Sequence, residues 1–201
     1  SMNSKVFSDD LIIIDFTEYH QRHPKEKVPS NGVHFTTQPD NRLGAFCILN
    51  PNKLPFEAIN LEANPGLVTD AHGQPVKQCE CICRAQREKS KRWGLLLELK
   101  YCAEKNIPKN MQNAFKKLEE CHEFLDRQRF FSDNPYRIYW AISHPEHDTV
   151  EPFENFINDQ DRVLGLNEKG IKLLYCNAIR ILTTEYLAKS KKPRKYQFPQ
   201  P

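Results

Sequence analysis

A chain of 201 residues with a net charge of +3, 39% apolar and 27% charged residues has the composition of an ordinary globular protein able to bury a full core. No stretch approaches ~18 consecutive apolar residues, and no basic segment followed by an apolar one opens the chain, so neither a transmembrane helix nor a secretory leader is expected. Seven cysteines are an odd number without framework spacing, which points to reduced thiols and a cytoplasmic setting, and the lack of a spanning stretch leaves no membrane partner expected.

In chain order, Leu11–Phe16 is apolar and β-rich and predicts a strand. From Thr17 to Arg42 the polar run with Pro24, Pro29, Gly32 and Pro39 predicts mainly loop, with a short strand at Val33–Thr36. Leu43–Leu49 and Phe56–Leu61 flank the turn signal Asn50-Pro51-Asn52 and predict a pair of strands. The stretch Gln78–Tyr101 predicts a hairpin, with strands at about Gln78–Cys83 and Gly94–Tyr101 around a loop rich in basic residues (Arg84, Arg87, Lys89, Lys91, Arg92). Its antiparallel register pairs Cys83 with Leu95, Ile82 with Leu96 and Glu80 with Glu98. By strand alternation Leu96, Glu98 and Lys100 share one face, while Leu95, Leu97, Leu99 and Tyr101 share the other.

Met111, Ala114, Phe115, Leu118, His122 and Leu125 form an amphipathic stripe and predict a helix over Lys109–Phe131, with Pro108 in its first turn. Tyr136–Ser143 predicts a strand that returns parallel to 94–101 by a right-handed crossover. Residues 150–158 fit a short helix. Ile171–Tyr186 fits either a helix or a hairpin turning at Cys176-Asn177, and its Ile and Thr content favours the hairpin. A single α/β domain over 3–188 is expected, a mixed central sheet flanked by helices. A basic tail over 189–201 is expected to be disordered.

The chemistry concentrates in the hairpin. Two opposed carboxylates destabilise a strand pair unless a cation lies between them, and a lysine among leucines on the same face needs a partner or a ligand. An acid on one strand, Glu98-Leu99-Lys100 on the next and then a helix resemble the PD-(D/E)XK nuclease superfamily over roughly residues 55–145. The first acid would be Glu80, eighteen residues before Glu98, where the family favours Asp, often after Pro. Gln112 matches the glutamine that some members carry at the start of the following helix.

The resemblance implies a restriction-endonuclease-like core and cleavage of phosphodiester bonds in nucleic acid, with DNA the preferred substrate. It implies Glu80 and Glu98 as ligands of Mg²⁺ (or Mn²⁺), Lys100 as the catalytic lysine and Gln112 beside it. Mg²⁺ suits such a set because it prefers hard oxygen ligands, one or two carboxylates together with water and phosphate. Arg84, Arg87, Lys109 and Lys116 are candidate contacts to nucleic acid, and a homodimer is an assembly open to such a protein. The alternative reading is a nuclease-fold protein that no longer cleaves and serves as a nucleic-acid-binding or assembly module, which the longer acid at position 80 favours.

Three weaker features complete the survey. Cys79, Cys81 and Cys83 on one strand face invite zinc, but C-x-C-x-C lacks the usual knuckle spacing and a packed core face accounts for it better. His144-Pro145-Glu146-His147-Asp148 is a polar loop at a strand end more readily than a metal motif. Glu57 and Glu62 are each either a further acid of the site or a solvent-facing residue. No glycine-rich phosphate loop, nucleophile elbow or HExxH zinc motif occurs.

Overall fold

A computed structural model describes residues 4–28, 31–38, 44–64, 67, 69–74, 79–86, 91–131, 136–147 and 160–196. The fold is α/β and carries two sheets. Its strands are β1 (Ser4–Phe7), β2 (Leu11–Asp15), β3 (Val33–Thr36), β4 (Phe46–Leu49), β5 (Phe56–Asn60), β6 (Cys81–Ala85), β7 (Arg92–Leu99), β8 (Tyr136–Ser143), β9 (Ile171–Tyr175), β10 (Ala178–Ile181) and β11 (Leu187–Ser190). The helices are α1 (Phe16–Arg22), α2 (Ile107–Arg127) and α3 (Gln160–Glu168).

One sheet has the order β1-β5-β6-β7-β8-β9, the other β11-β10-β4-β2-β3. In the first, β5, β6 and β7 form an antiparallel meander, and α2 carries the chain across so that β8 pairs parallel to β7. Every residue of β7 is buried, as its near-continuous apolar sequence requires of a central strand covered on both faces. Leu95, Leu97, Leu99 and Tyr101 pack with Leu11, Ile13, Phe46 and Ile48 between the sheets. Leu96 and Ile82 face the other way, onto Ala114, Leu118 and Cys121 of α2. Ile12, Ile14 and Cys47, on the far side of the second sheet, are covered by Phe16 and Tyr196.

The predicted register holds for two of its three pairs, Cys83 opposite Leu95 and Ile82 opposite Leu96. The ladder ends at Cys81–Leu97, so the expected Glu80–Glu98 strand pair does not form and the Glu80 backbone N–H donates to Leu97 O instead. The parallel return of β8 is also as expected. The strand limits differ, because Arg84 and Arg92, assigned to a loop, extend β6 and β7. Gln78 and Arg87 lie outside the described residues, as does the expected helix over 150–158.

Other expectations are corrected. The segment after Asp15 is not loop but begins with α1. β4 and β5 do not pair with each other; β4 lies between β10 and β2, and β5 between β1 and β6. β9 and β10 form no hairpin either, since Cys176-Asn177 passes the chain from one sheet to the other. The described part of the basic tail, 189–196, is not disordered: it includes the end of β11, and Tyr196 is buried and donates a hydrogen bond from its hydroxyl to Asp10 Oδ2 at 2.9 Å. Cys79 leaves the face of Cys81 and Cys83 and packs under α2, its Sγ 3.6 Å from Cys121 Sγ. All seven cysteines are buried and free of disulfides.

Candidate metal centre

The site forms where the end of β2 meets the hairpin. Asp15 closes β2 and caps α1: its Oδ1 accepts from the backbone N–H of Thr17 at 3.0 Å and of Glu18 at 3.3 Å. Phe16 and Tyr19 bury one side of this short helix, while Thr17, Glu18 and Gln21 line a cleft. Tyr101, just past β7, fixes the junction. Its hydroxyl accepts from Asp15 N at 3.0 Å and donates to Gly44 O at 2.6 Å. The alternation that directs Glu98 and Lys100 toward α2 thus directs Tyr101 toward Asp15.

Glu80 stands at the entrance to β6, its backbone N–H bonded to Leu97 O at 2.9 Å. Asp15, Glu18 and Glu80 each offer a carboxylate oxygen, and these oxygens lie within 4.8 Å of one another. Asp15 and Glu80 are buried and Glu18 is half-buried. The three line a cleft of about 420 Å³ that also receives Glu62, Cys79 and Lys117. Burial pushes the Glu80 carboxyl well above the usual carboxylate range, and the charges of Glu98, Asp15 and Glu18 push it further against Lys117. Burial raises Glu18 as well, partly offset by Lys100. The three gathered carboxylates form a set of hard oxygen donors that could hold a metal ion.

Glu98 is fully buried beside this group. Its Oε1 meets Lys100 Nζ at 3.1 Å and Lys117 Nζ at 3.3 Å. Its Oε2 is buried with no hydrogen-bond partner among the described residues. Burial raises the Glu98 carboxyl, against the pull of the two ammonium groups. At Lys117 burial opposes the charge, but Glu98 and Glu80 outweigh it and hold the ammonium above its usual value.

Of the residues singled out from the sequence, Glu98 and Lys100 form an ion pair and Glu98 is the foremost charge acting on Glu80, but the carboxylates gathered with Glu80 as a possible ligand set are Asp15 and Glu18. Gln112 and Lys116 lie on another side of α2, in a second cleft of about 540 Å³ shared with Asp161 and Arg162. Lys109 is exposed in the first turn of α2. Arg84 is engaged within the sheet, with Nε 2.7 Å from Glu57 Oε1 and the guanidinium over the Phe130 ring. Glu62 reaches the cleft, whereas Glu57 is taken by Arg84. The polar loop after β8 holds Glu146 against His23 at 2.7 Å, and His147 Nε2 lies 2.6 Å from Cys102 O.

Sequence reasoning missed Asp15, Glu18 and Lys117. The signal for the first two was Asp15-Phe16-Thr17-Glu18, the spacing of a helix N-cap and its third residue. The signal for Lys117 was a lysine three residues after Ala114 and four before Cys121, on the edge of the buried stripe.

Comparison with protein-family models, curated proteins and solved structures finds no match to this chain. Among the described residues no helix is long and apolar enough to cross a membrane.

Proposed function

We propose that this protein is a metal-dependent nuclease acting on phosphodiester bonds, with DNA as the preferred substrate. One observation carries the reading: a cleft gathers Asp15, Glu18 and Glu80 within ligand distance of one another directly beside the buried Glu98–Lys100 pair. The antiparallel meander β5-β6-β7, the α2 crossover and the parallel β8 are also the order expected of a restriction-endonuclease-like core. Mg²⁺ or Mn²⁺ held by the three carboxylates would polarise a phosphoryl group and acidify a bound water.

The chain's own groups have separable tasks in this reading. Asp15 and Glu18 are oriented by the start of α1, Glu80 by its backbone bond to β7. Lys100 balances the charge of Glu98, which would otherwise be costly to bury in the wall behind the site. Lys117 contributes the positive charge that the cleft presents to an anionic substrate.

The test is calorimetric titration of Mn²⁺ together with a cleavage assay on plasmid and single-stranded DNA. Binding that disappears in Glu80→Gln, with cleavage lost in parallel, is the expected result. A wild-type protein that binds no Mn²⁺ would sink the metal centre. The second reading is a binding or assembly module without catalysis. It is favoured by the engagement of Glu98 Oε1 with two ammonium groups, which occupies a carboxylate that the family resemblance assigns to the metal. Mn²⁺ and DNA binding without cleavage is its signature.

A further inference from the structure

Lys100 and Lys117 both touch Glu98 Oε1, yet they are placed differently. The Lys100 side chain is 9% exposed and the Lys117 side chain 32%. Lys117 lines the acidic cleft, and Lys100 is not among the residues that line it. Of the described lining residues, Lys117 alone carries a positive charge, in the company of the carboxylates of Asp15, Glu18, Glu62 and Glu80. An ammonium has three N–H donors, and Glu98 takes one of them.

We infer that Lys117, reaching in from the middle of α2, is the residue that meets a phosphoryl oxygen in this cleft, whereas Lys100 stays behind Glu98 as its counter-ion. The inference rests on the reading of the cleft as a metal-dependent phosphodiester site and names the chain's own phosphate contact there. A phosphate entering this cleft faces several carboxylates, so it needs cationic partners there. The acids can hold an ion, and Lys117 lines the same cleft with the cationic group they lack. Glu98 keeps the ammonium charged and in place, since its carboxylate accepts one of the Lys117 protons in a hydrogen bond. A lysine suits this place because a compact ammonium on a long stem can reach a phosphate oxygen as a point charge.

Two titrations on the full chain test this. Mn²⁺ is titrated first, and inorganic phosphate is then titrated onto the Mn²⁺-loaded protein, for wild type, Lys117→Met and Lys117→Arg. Losing one charge-assisted hydrogen bond should weaken phosphate binding about tenfold to a hundredfold in Lys117→Met. Mn²⁺ affinity should stay within about threefold, and Lys117→Arg should recover part of the phosphate affinity. Thermal melts establish that both variants are folded, as expected for a side chain that is partly exposed. Unchanged phosphate affinity in Lys117→Met overturns the inference, and so does a Mn²⁺-loaded wild type that binds no phosphate. Absence of Mn²⁺ binding in the first titration is a different result, which fails the metal centre itself. Phosphate binding that depends on Lys117, in a protein that cleaves no DNA, supports this assignment while rejecting the nuclease reading.

Discussion

Glu80 is a carboxyl that folding places where its charge is disfavoured, by burial and by three acidic neighbours. A group with its pKa raised in the folded state holds a proton that the unfolded chain has released, so the metal-free protein loses stability as pH climbs above the ordinary carboxylate range. Binding an ion requires that proton to leave, which couples metal affinity to pH in the opposite direction. The rise in melting temperature on adding Mn²⁺ should therefore grow between about pH 5 and about pH 8. Glu80→Gln should melt higher than wild type in the absence of metal at about pH 8, by roughly 2–4 °C for each kcal/mol of repulsion removed, and should lose the Mn²⁺ response. Glu98 behaves differently because it already has cationic partners. Glu98→Ala leaves two ammonium groups facing a buried wall and should cost about 3–5 kcal/mol in urea unfolding. His144 adds a separate acid sensitivity: burial, with help from His147 and Lys100, holds its imidazole down to about 4 against an ordinary 6.5. Stability from this source is complete above the unfolded value and is lost as pH falls toward the folded one, roughly 2–3 kcal/mol by pH ~4.5. His144→Gln should shrink the difference between urea curves at pH ~7 and pH ~4.5 by that amount.

At the scale of elements, α1 is the piece on which the candidate site depends. It has seven residues, too few for an apolar stripe to stand out, and it sits in a segment rich in proline and glycine. Its formation relies on the Asp15 cap and on burying Phe16 and Tyr19. Asp15 is then both cap and candidate ligand, and two substitutions separate these roles. Asp15→Ala should cost about 1 kcal/mol through the lost cap and abolish Mn²⁺ binding as well. Asp15→Ser, which restores a capping oxygen without the charge, should recover most of the melting temperature but not the metal response. Gly44 supports the same junction from below. Its φ of +103° and the Tyr101 and Tyr19 ring atoms 2.8 and 2.9 Å from where a Cβ would lie leave no room for a side chain beside the Tyr101 hydroxyl bond.

For the whole molecule, the two sheets pack face to face, and the chain crosses between them more than once, including at Cys176-Asn177. The last described turn, Arg194–Tyr196, returns to the outer side of the second sheet and seats Tyr196 on Asp10. Removing residues 191–201 should therefore destabilise the protein by about 2–4 kcal/mol, from the loss of one buried aromatic and one hydrogen bond. Thermal or urea unfolding of the truncated chain measures it, and an unchanged curve would return the tail to the status of a solvated appendage.

The hairpin of β6 and β7, the α2 crossover and the parallel β8 were legible in the residues because each signal is local. A period of two, a stripe at helical spacing and a turn between apolar runs depend on neighbours within a few positions, and the face assignments of Glu98 and Tyr101 followed from alternation alone. Pairing between strands far apart in sequence is not local. The apolar segments around Asn50-Pro51-Asn52 and around Cys176-Asn177 would serve a hairpin or a crossing between sheets equally well, since backbone hydrogen bonding is the same with either partner. The choice falls to whichever arrangement buries both faces of β4 and β10. The hairpin carries Glu80, Glu98 and Lys100 wherever it packs, but the company they keep is a property of the assembled layers. Asp15 and Glu18 are more than sixty residues from Glu80 along the chain and reach it because Tyr101 ties the end of β2 to the end of β7. Lys117 reaches Glu98 because α2 packs on the face of β7 opposite the second sheet.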